Sequence, residues 1–330
     1  MRRQQRVPQR FRRMVADQIV NALDVADRLR HLAAAEVQHA VVQPPVGEDF
    51  SAVRAFALRD FVFVMRELQV DAAGVDVDGL AQVVHGHGAD SALDEAAFII
   101  LESLSLPVDD LGPWLDARLA MPERQRINAL IEKRISTRKP AAYLMGVTYL
   151  LGRRFRVDER VIVPRSFIAE LLFSGSFGES DGTPGTLIDD PHAVKHVLDL
   201  CTGSGCLAIL AAEVFVNASI DAADLSVEAL ALAHHNVTDH DLGDQVSLIR
   251  SDLFAGLKGR RYDLIITNPP YVTADAVAAF PPEYAAEPVM AHLGGADGLD
   301  LVRHILGSAK MHLTPDGGLL CEVGSGRTAL

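Results

Sequence analysis

The apolar run from Tyr262 to Thr267 passes directly into Asn268-Pro269-Pro270-Tyr271, and no other stretch constrains the chain as tightly. A short aliphatic run of this kind fits a parallel strand covered on both faces. Proline fixes φ, lacks an N–H, and keeps the residue before it out of the helical region. Two prolines in a row therefore present the Asn268 side chain and the Pro269 carbonyl in one preset geometry. Both groups offer acceptors, and together they suit a planar –NH2 with two hydrogens to donate. A lone Asn-Pro after a strand is most simply a proline turn. Asn-Pro-Pro-Tyr straight after an apolar strand is rarer, and the functional reading is the stronger one here.

Around this strand the periodicity alternates between strand and helix. Strands are predicted at 196–200, 219–223, 246–250, 262–267 and 318–323, with helices starting at Leu207 and Ser226. That alternation predicts an α/β fold with a doubly wound, mostly parallel, Rossmann-like sheet. Upstream the spacing is helical. Val53, Phe56, Leu58, Phe63, Val64 and Leu68 make one apolar stripe, and further helices are predicted at 93–104 and 123–137, the latter stopped before Pro140. Such a helical domain is a place to hold a substrate. From Ala142 to Val163 the pattern switches to a two-residue alternation, with Gly152-Arg153 placed to turn a hairpin. Residues 174–186, rich in Gly, Ser, Asp and Pro, read as a flexible loop.

Composition narrows the partners. The 330 residues allow two domains. A net charge of −13 argues against general nucleic-acid binding, which leaves a basic footprint. No apolar run approaches the ~20 residues that span a bilayer. The three cysteines, Cys201, Cys206 and Cys321, are few and lie in apolar surroundings, which points to a reducing cytoplasm without disulfides or a bound metal. Residues 1–13 carry six arginines and no acid, a pattern shared by targeting peptides, RNA-binding arms and misread upstream starts. His85-Gly-His87-Gly could be taken for a metal pair, but two lone histidines in a glycine-rich loop read more simply as loop.

A ligand site is legible at the predicted strand ends. Asp199, Cys201, Thr202, Gly203, Ser204 and Gly205 follow the first sheet strand, where doubly wound folds bind ligands and glycines let the backbone approach them. Asp224 ends the next strand about 20 residues on, where a carboxylate can accept ribose hydroxyls. Asp252, at the third strand end, is placed to receive the amino group of an adenine. Together with Asn268 these form a candidate cofactor constellation. It is neither a Walker loop nor a full dinucleotide fingerprint.

With Asn-Pro-Pro-Tyr, this set resembles the class I S-adenosylmethionine (SAM) methyltransferases acting on amide or exocyclic amino nitrogens. Further motifs narrow it: His85-Gly-His87-Gly, Arg138-Lys-Pro-Ala-Ala-Tyr143-Leu and Phe155-Arg-Val-Asp-Glu-Arg-Val-Ile-Val-Pro-Arg165-Ser166. Leu198-Asp-Leu-Cys-Thr-Gly-Ser-Gly-Cys206, Arg250-Ser-Asp-Leu-Phe254, Pro282-Glu-Tyr-Ala-Ala-Glu-Pro288 and Gly295-Ala-Asp-Gly298-Leu-Asp continue the match. They resemble the N(5)-glutamine methyltransferase family, and within it the branch that methylates a glutamine of ribosomal protein L-three of the large subunit. The release-factor branch carries an acidic Pro-Arg-Pro-x-Thr-Glu element where this chain has Pro164-Arg165-Ser166-Phe-Ile-Ala.

The resemblance implies an N-terminal extension at 1–50, a helical substrate-recognition domain at 51–141, a hairpin linker at 142–166 and a SAM-dependent methyltransferase domain at 167–330. It implies S-adenosyl-L-methionine as cofactor, and Asn268, Pro269 and Tyr271 as the catalytic corner. Substrate contacts are expected from Asn268, Pro269, Pro270, Tyr271 and Arg165. A large-subunit ribosomal protein, free or within assembling ribosomes, is the implied partner. The rival readings are a release-factor methyltransferase, an adenine-amino methyltransferase that would need base flipping, and a non-catalytic ribosome-assembly partner. The family continues past Glu322 with a helix and two strands. The expectation is therefore a C-terminally truncated, aggregation-prone chain with Leu319, Leu320, Cys321 and Val323 on an open edge.

Overall fold

The computed structural model describes residues 92–109, 114, 117–174, 176–177 and 187–324. All lie in one compact unit, Val53–Leu330. The arginine-rich start, the stripe beginning at Val53, the His85/His87 pair and most of the 174–186 loop fall outside the described residues. Among the described residues no helix is long and apolar enough to cross a membrane.

The helical part matches its spacing. Helix α1 (Ala92–Ser103) packs on α2 (Met121–Thr137) through Ala96, Ile99 and Ile100 against Ile127 and Ile131, all buried. A buried ion pair, Arg134 Nε to Glu95 Oε1 at 2.9 Å, crosses the same contact. Helix α2 starts with the Glu123 carboxylate accepting from the Ala120 N–H, and stops where Arg138 turns left-handed ahead of Pro140.

The next segment differs from expectation. Residues Ala141–Met145 form a short helix, α3, instead of the start of a hairpin strand. Ala141 and Ala142 follow Pro140, and Gly146 at φ 70° ends the turn, so helix-forming residues between two breakers prevail over the alternation. The hairpin itself is shorter, β1 (Val147–Leu150) against β2 (Arg153–Arg156). Its two-residue turn is Leu151-Gly152, both at positive φ (51° and 75°), one residue before the predicted Gly152-Arg153. This is the turn geometry that matches strand twist in tight hairpins.

The remaining elements are α4 (Phe167–Leu172), β3 (His196–Leu200), α5 (Cys206–Val214), β4 (Ser219–Asp224) and α6 (Val227–Asp239). They continue as β5 (Val246–Arg250), β6 (Tyr262–Thr267), α7 (Ala274–Ala278), α8 (Asp300–His312) and β7 (Leu313–Cys321). The strands form one sheet in the order β5-β4-β3-β6-β7, every neighbouring pair parallel. β6 explains its own apolar run. Leu264 and Ile266 enter one core with Val197 and helix α5, while Ile265 enters the other with Leu198, Leu200 and Ile305. Successive residues serve opposite faces, and both faces are covered.

Strand β7 begins five residues earlier than the predicted 318. Thr314-Pro-Asp-Gly-Gly reads as a turn, yet it is absorbed as an irregularity in the pairing, since Tyr262 faces Leu313 while Leu264 faces Gly318. Among the described residues β7 is an outer strand, where proline is tolerated.

The order of the sheet reverses beside β3, because the chain runs outward through β4 and β5 and then returns to β6 on the other flank. Ligands bind at such switch points, off the carboxyl ends of the strands. Two buried polar side chains shape that region. Asn236 of α6 accepts from the Arg156 N–H at 2.7 Å and donates to the carbonyls of Arg156 (3.1 Å) and Ser204 (2.8 Å). It ties the hairpin to the glycine loop with its oxygen and its NH2 group both engaged.

Asp199, with no exposed surface, accepts through Oδ2 from Thr202 Oγ1 and from the Ala208 N–H at 3.0 Å, closing the loop onto α5. Its Oδ1 has no hydrogen-bond partner among the described residues. Burial pushes its carboxyl up to about 7, with the Asp224 charge adding to the rise and the bonds from Thr202 and Ala208 opposing it.

A raised folded-state carboxylate works against stability as pH climbs. Above its unfolded value of ~3.9 the unfolded chain ionises while the native one keeps its proton, until pH passes the folded value. Asp199→Asn is therefore expected to melt progressively higher relative to the parent as pH rises from 5 to 7.5, with the gap levelling off above. Melting curves of the two proteins across that range measure it, and a gap independent of pH contradicts the buried, protonated state.

Candidate active site

The end of β6 is locked to its neighbours before the corner begins. Thr267 Oγ1 donates to the Leu200 carbonyl at 2.7 Å, and the Thr267 carbonyl accepts from the Glu322 N–H at 3.0 Å. The chain then leaves the sheet at Asn268. Asn268 Nδ2 donates to the Arg165 carbonyl at 3.1 Å, which commits the donor end of this amide and leaves Oδ1 as its acceptor end.

A loop rich in glycine grips the corner from outside. Val272 N–H donates to the His292 carbonyl at 2.8 Å, and Gly294 N–H to the Val272 carbonyl at 2.9 Å. A Cβ on Gly298 would stand 2.4 Å from the Tyr271 carbonyl oxygen, and one on Gly294 would stand 2.7 Å from that of Pro270. Gly298 of the Gly295-Ala-Asp-Gly298 motif, and Gly294 just before it, thus make backbone-to-backbone contacts that only glycine permits.

Two cavities meet at Asn268. The larger when its open mouth is included, about 810 Å³, is lined by Cys201, Gly203, Asp224, Ser251, Asp252 and Asn268, among others. The second, about 560 Å³, has Arg165, Pro269, Tyr271, Phe280, Tyr284 and His292 in its walls, and again Asn268. Ile162 and Ala291 also border both.

Most of the expected cofactor residues converge on the larger cavity, but they divide into two layers. Cys201, Gly203, Asp224, Asp252 and Asn268 line it. Asp199, Thr202, Ser204 and Gly205 lie behind and hold the loop in shape. Thr202 N–H bonds to the Ala223 carbonyl, and Gly205 (φ 80°) passes so close to α6 that a Cβ would be 3.2 Å from that of Ala233. Cys201 is itself left-handed at φ 63°. Asp224 accepts from the Gly203 N–H at 2.8 Å and the Ser226 N–H at 2.9 Å, one per oxygen. Burial raises its carboxyl, and those backbone bonds oppose the rise. Each oxygen keeps a further lone pair for a ligand hydroxyl.

Glycine-loop backbone, a carboxylate with spare acceptor capacity, exposed Asp252 and apolar walls from Leu200, Ala223 and Leu253 fit a nucleoside carrying a positive charge.

The expected substrate residues divide as well. Asn268, Pro269, Tyr271 and Arg165 border the second cavity, whereas Pro270 faces the first. Arg165 does not present a free guanidinium, because Nη1 and Nη2 bond to the two oxygens of Glu287 at 3.1 and 2.9 Å. Burial raises the Tyr271 phenol, and the Glu322 charge adds to it. Ser166 caps helix α4 through the Ile168 N–H and donates to the Glu322 carboxylate, fastening β7 to the Arg165 segment.

Sequence reasoning missed the far wall of this cavity. Phe280, Tyr284 and His292 cluster with ring centroids 4.5 to 5.9 Å apart, and Arg165 lies over the Tyr284 ring at 5.5 Å. The available signal was Pro282-Glu-Tyr-Ala-Ala-Glu-Pro288, two glutamates and a tyrosine fenced by prolines.

Comparison with known proteins bears on the same residues. The methyltransferase small domain family matches residues 185–280. A ribosomal protein uL3 glutamine methyltransferase of Bradyrhizobium diazoefficiens is 56% identical over 247 residues, covering 75% of this chain and 77% of that protein. The enzyme of the same name from Burkholderia pseudomallei is 50% identical over 254 residues, covering 75% and 80%. That of Bordetella pertussis is 49% identical over 247 residues, with the same coverage. Identity at this level across three quarters of the chain, together with the strand-end constellation and the Asn268 corner, places the chain in the family of ribosomal protein uL3 glutamine methyltransferases.

Proposed function

We propose that this chain methylates the side-chain amide nitrogen of a glutamine in ribosomal protein uL3, with S-adenosyl-L-methionine as the methyl donor. The observation that carries the reading is the position of Asn268 between the two cavities, donor end tied back to Arg165. S-adenosyl-L-methionine, bound in the larger cavity, supplies an electrophilic methyl group. Asp224 and the Gly203 backbone would hold its ribose side, and Asp252 its adenine.

An amide nitrogen is a weak nucleophile because its lone pair is delocalised into the carbonyl. Asn268 Oδ1 and the Pro269 carbonyl, each accepting one N–H, would orient the amide with that lone pair toward the larger cavity. Holding a near-attack geometry is then the main catalytic device. Transfer would form a C–N bond as the donor's S–C bond breaks, and the methylated nitrogen would pass its proton to water, so no base is needed beforehand. Tyr271 walls the pocket, and a dry site favours a transfer in which the donor's positive charge disappears. Residues 51–141 would dock the ribosomal protein, in the cytoplasm and as ribosomes assemble.

Three results are expected. Incubation with tritiated cofactor and purified substrates should label uL3 on one glutamine, mapped by mass spectrometry. Preferential labelling of a release factor, or of nucleic acid, would replace this reading. Asn268→Ala should abolish transfer while cofactor affinity by calorimetry stays within a few fold, since the side chain holds the acceptor. Asp224→Ala should weaken cofactor binding by roughly 1.5–3 kcal/mol, the scale of hydrogen bonds to a charged group. Unchanged affinity in the last case moves the ribose site elsewhere.

A further inference from the structure

Behind the second cavity, and outside its lining, the side chain of Glu287 is completely buried. Oε1 accepts from the Val163 N–H at 2.9 Å and from Arg165 Nη1 at 3.1 Å, and Oε2 from Arg165 Nη2 at 2.9 Å. His292 Nε2 lies 2.8 Å from Oε2 on the other side. A buried carboxylate is tolerated only where it is paired and hydrogen-bonded, and this one is bonded by a backbone N–H and a guanidinium fork, with the His292 ring packed close beside it but outside hydrogen-bond geometry. Burial alone would raise its carboxyl, but the nearby His292 ring, the bonds from Arg165 and the Arg165 charge outweigh it and hold the group at about 2. It is therefore a fixed negative charge.

The groups it holds are the two supports of the catalytic corner. Arg165 is the residue whose carbonyl receives Asn268 Nδ2. His292 is the residue whose carbonyl receives the Val272 N–H, and its ring packs edge-on to Phe280 at 5.1 Å. One carboxylate thus reaches both ends of residues 268–272 without touching the space a substrate would occupy.

We propose that Glu287 is the positioning residue of the acceptor pocket, fixing through Arg165 the orientation of the Asn268 amide and through His292 the aromatic wall opposite it. This rests on the reading of the second cavity as the glutamine pocket. The role is one of orientation, so it acts on the attack step and not on cofactor binding, whose cavity Glu287 does not border.

Glu287→Gln keeps the size of the side chain and removes its charge and half of its acceptor capacity. It is expected to lower kcat/KM for uL3 by about a hundredfold, the effect of an ångström-scale misplacement, with the loss falling in kcat more than in KM. Cofactor affinity by calorimetry should stay that of the parent. Arg165→Met should show a similar loss, and the double variant should be no worse than Glu287→Gln, since members of one network are not additive.

Rates are normalised to the folded fraction from thermal melts, so that destabilisation is not counted as lost positioning. A parental rate for Glu287→Gln, an additive double variant, or an equal loss of cofactor affinity overturns the proposal. Asn268→Ala in the same assay separates the two readings. If it is inactive while Glu287→Gln is fully active, the positioning role fails and the glutamine pocket stands. If it is active, the pocket reading fails and the positioning role with it.

Discussion

A primary amide has a donor end and an acceptor end of nearly equal size, and only its surroundings decide which end faces a ligand. At Asn268 the decision rests on the Arg165 carbonyl, 3.1 Å from Nδ2. With that bond made, Oδ1 is left as the acceptor end where the two cavities meet; rotated by half a turn, the same side chain would present its donor end there. The flanking prolines limit the backbone of the corner, but they do not choose the flip. That choice depends on a residue 103 positions away in the chain, and so on how the hairpin segment is held against the sheet.

The holding is done by polar contacts at the centre and apolar ones around them. Val157, Val161 and Val163 pack with Tyr143 on Ala229 and Leu232 of α6, carrying the chain from the hairpin to Arg165 across the sheet domain. The Tyr143 hydroxyl donates to the Val161 carbonyl inside that cluster. At the helical side, Arg138 reaches Glu283 at 2.8 Å, four residues before Glu287. The short Pro282–Ala286 turn is therefore anchored by buried carboxylates to both the end of α2 and the end of the hairpin segment. Tyr284, between them, has little freedom to leave the cavity wall.

What could be read from the chain alone follows from the range of each interaction. β6 was legible to the residue because a buried parallel strand is a continuous apolar run with an abrupt end, while the outer strand β5 showed instead through its Val-Ser-Leu alternation. That the glycine loop, Asp224 and Asn268 would border one cavity was legible because parallel strands bring their carboxyl ends to one side of the sheet. Residues 141–145 and 313–317 were not. In the first, a proline and a glycine enclose a stretch too short for any period to show. In the second, a turn-like Pro-Asp-Gly-Gly is overruled by pairing with β6. The Glu287 network was beyond reach for another reason: its carboxylate and the Arg165 guanidinium are separated by 122 positions, and neither shows its partner in local spacing. Asp199 sits between these cases, correctly placed at the loop but turned into the core.

Asn236 carries a consequence for how the molecule breathes. Its one amide bonds to both the N–H and the carbonyl of Arg156 in the hairpin and to the Ser204 carbonyl in the glycine loop. The hairpin cannot peel from α6 without breaking these bonds together and leaving the buried Asn236 amide unpaired. Local opening of this region therefore involves the hairpin and the loop as one cooperative unit. Slow amide exchange at Arg156 would then report on the integrity of a loop nearly fifty residues further along. A ligand that steadies that loop would slow exchange in a hairpin it never touches.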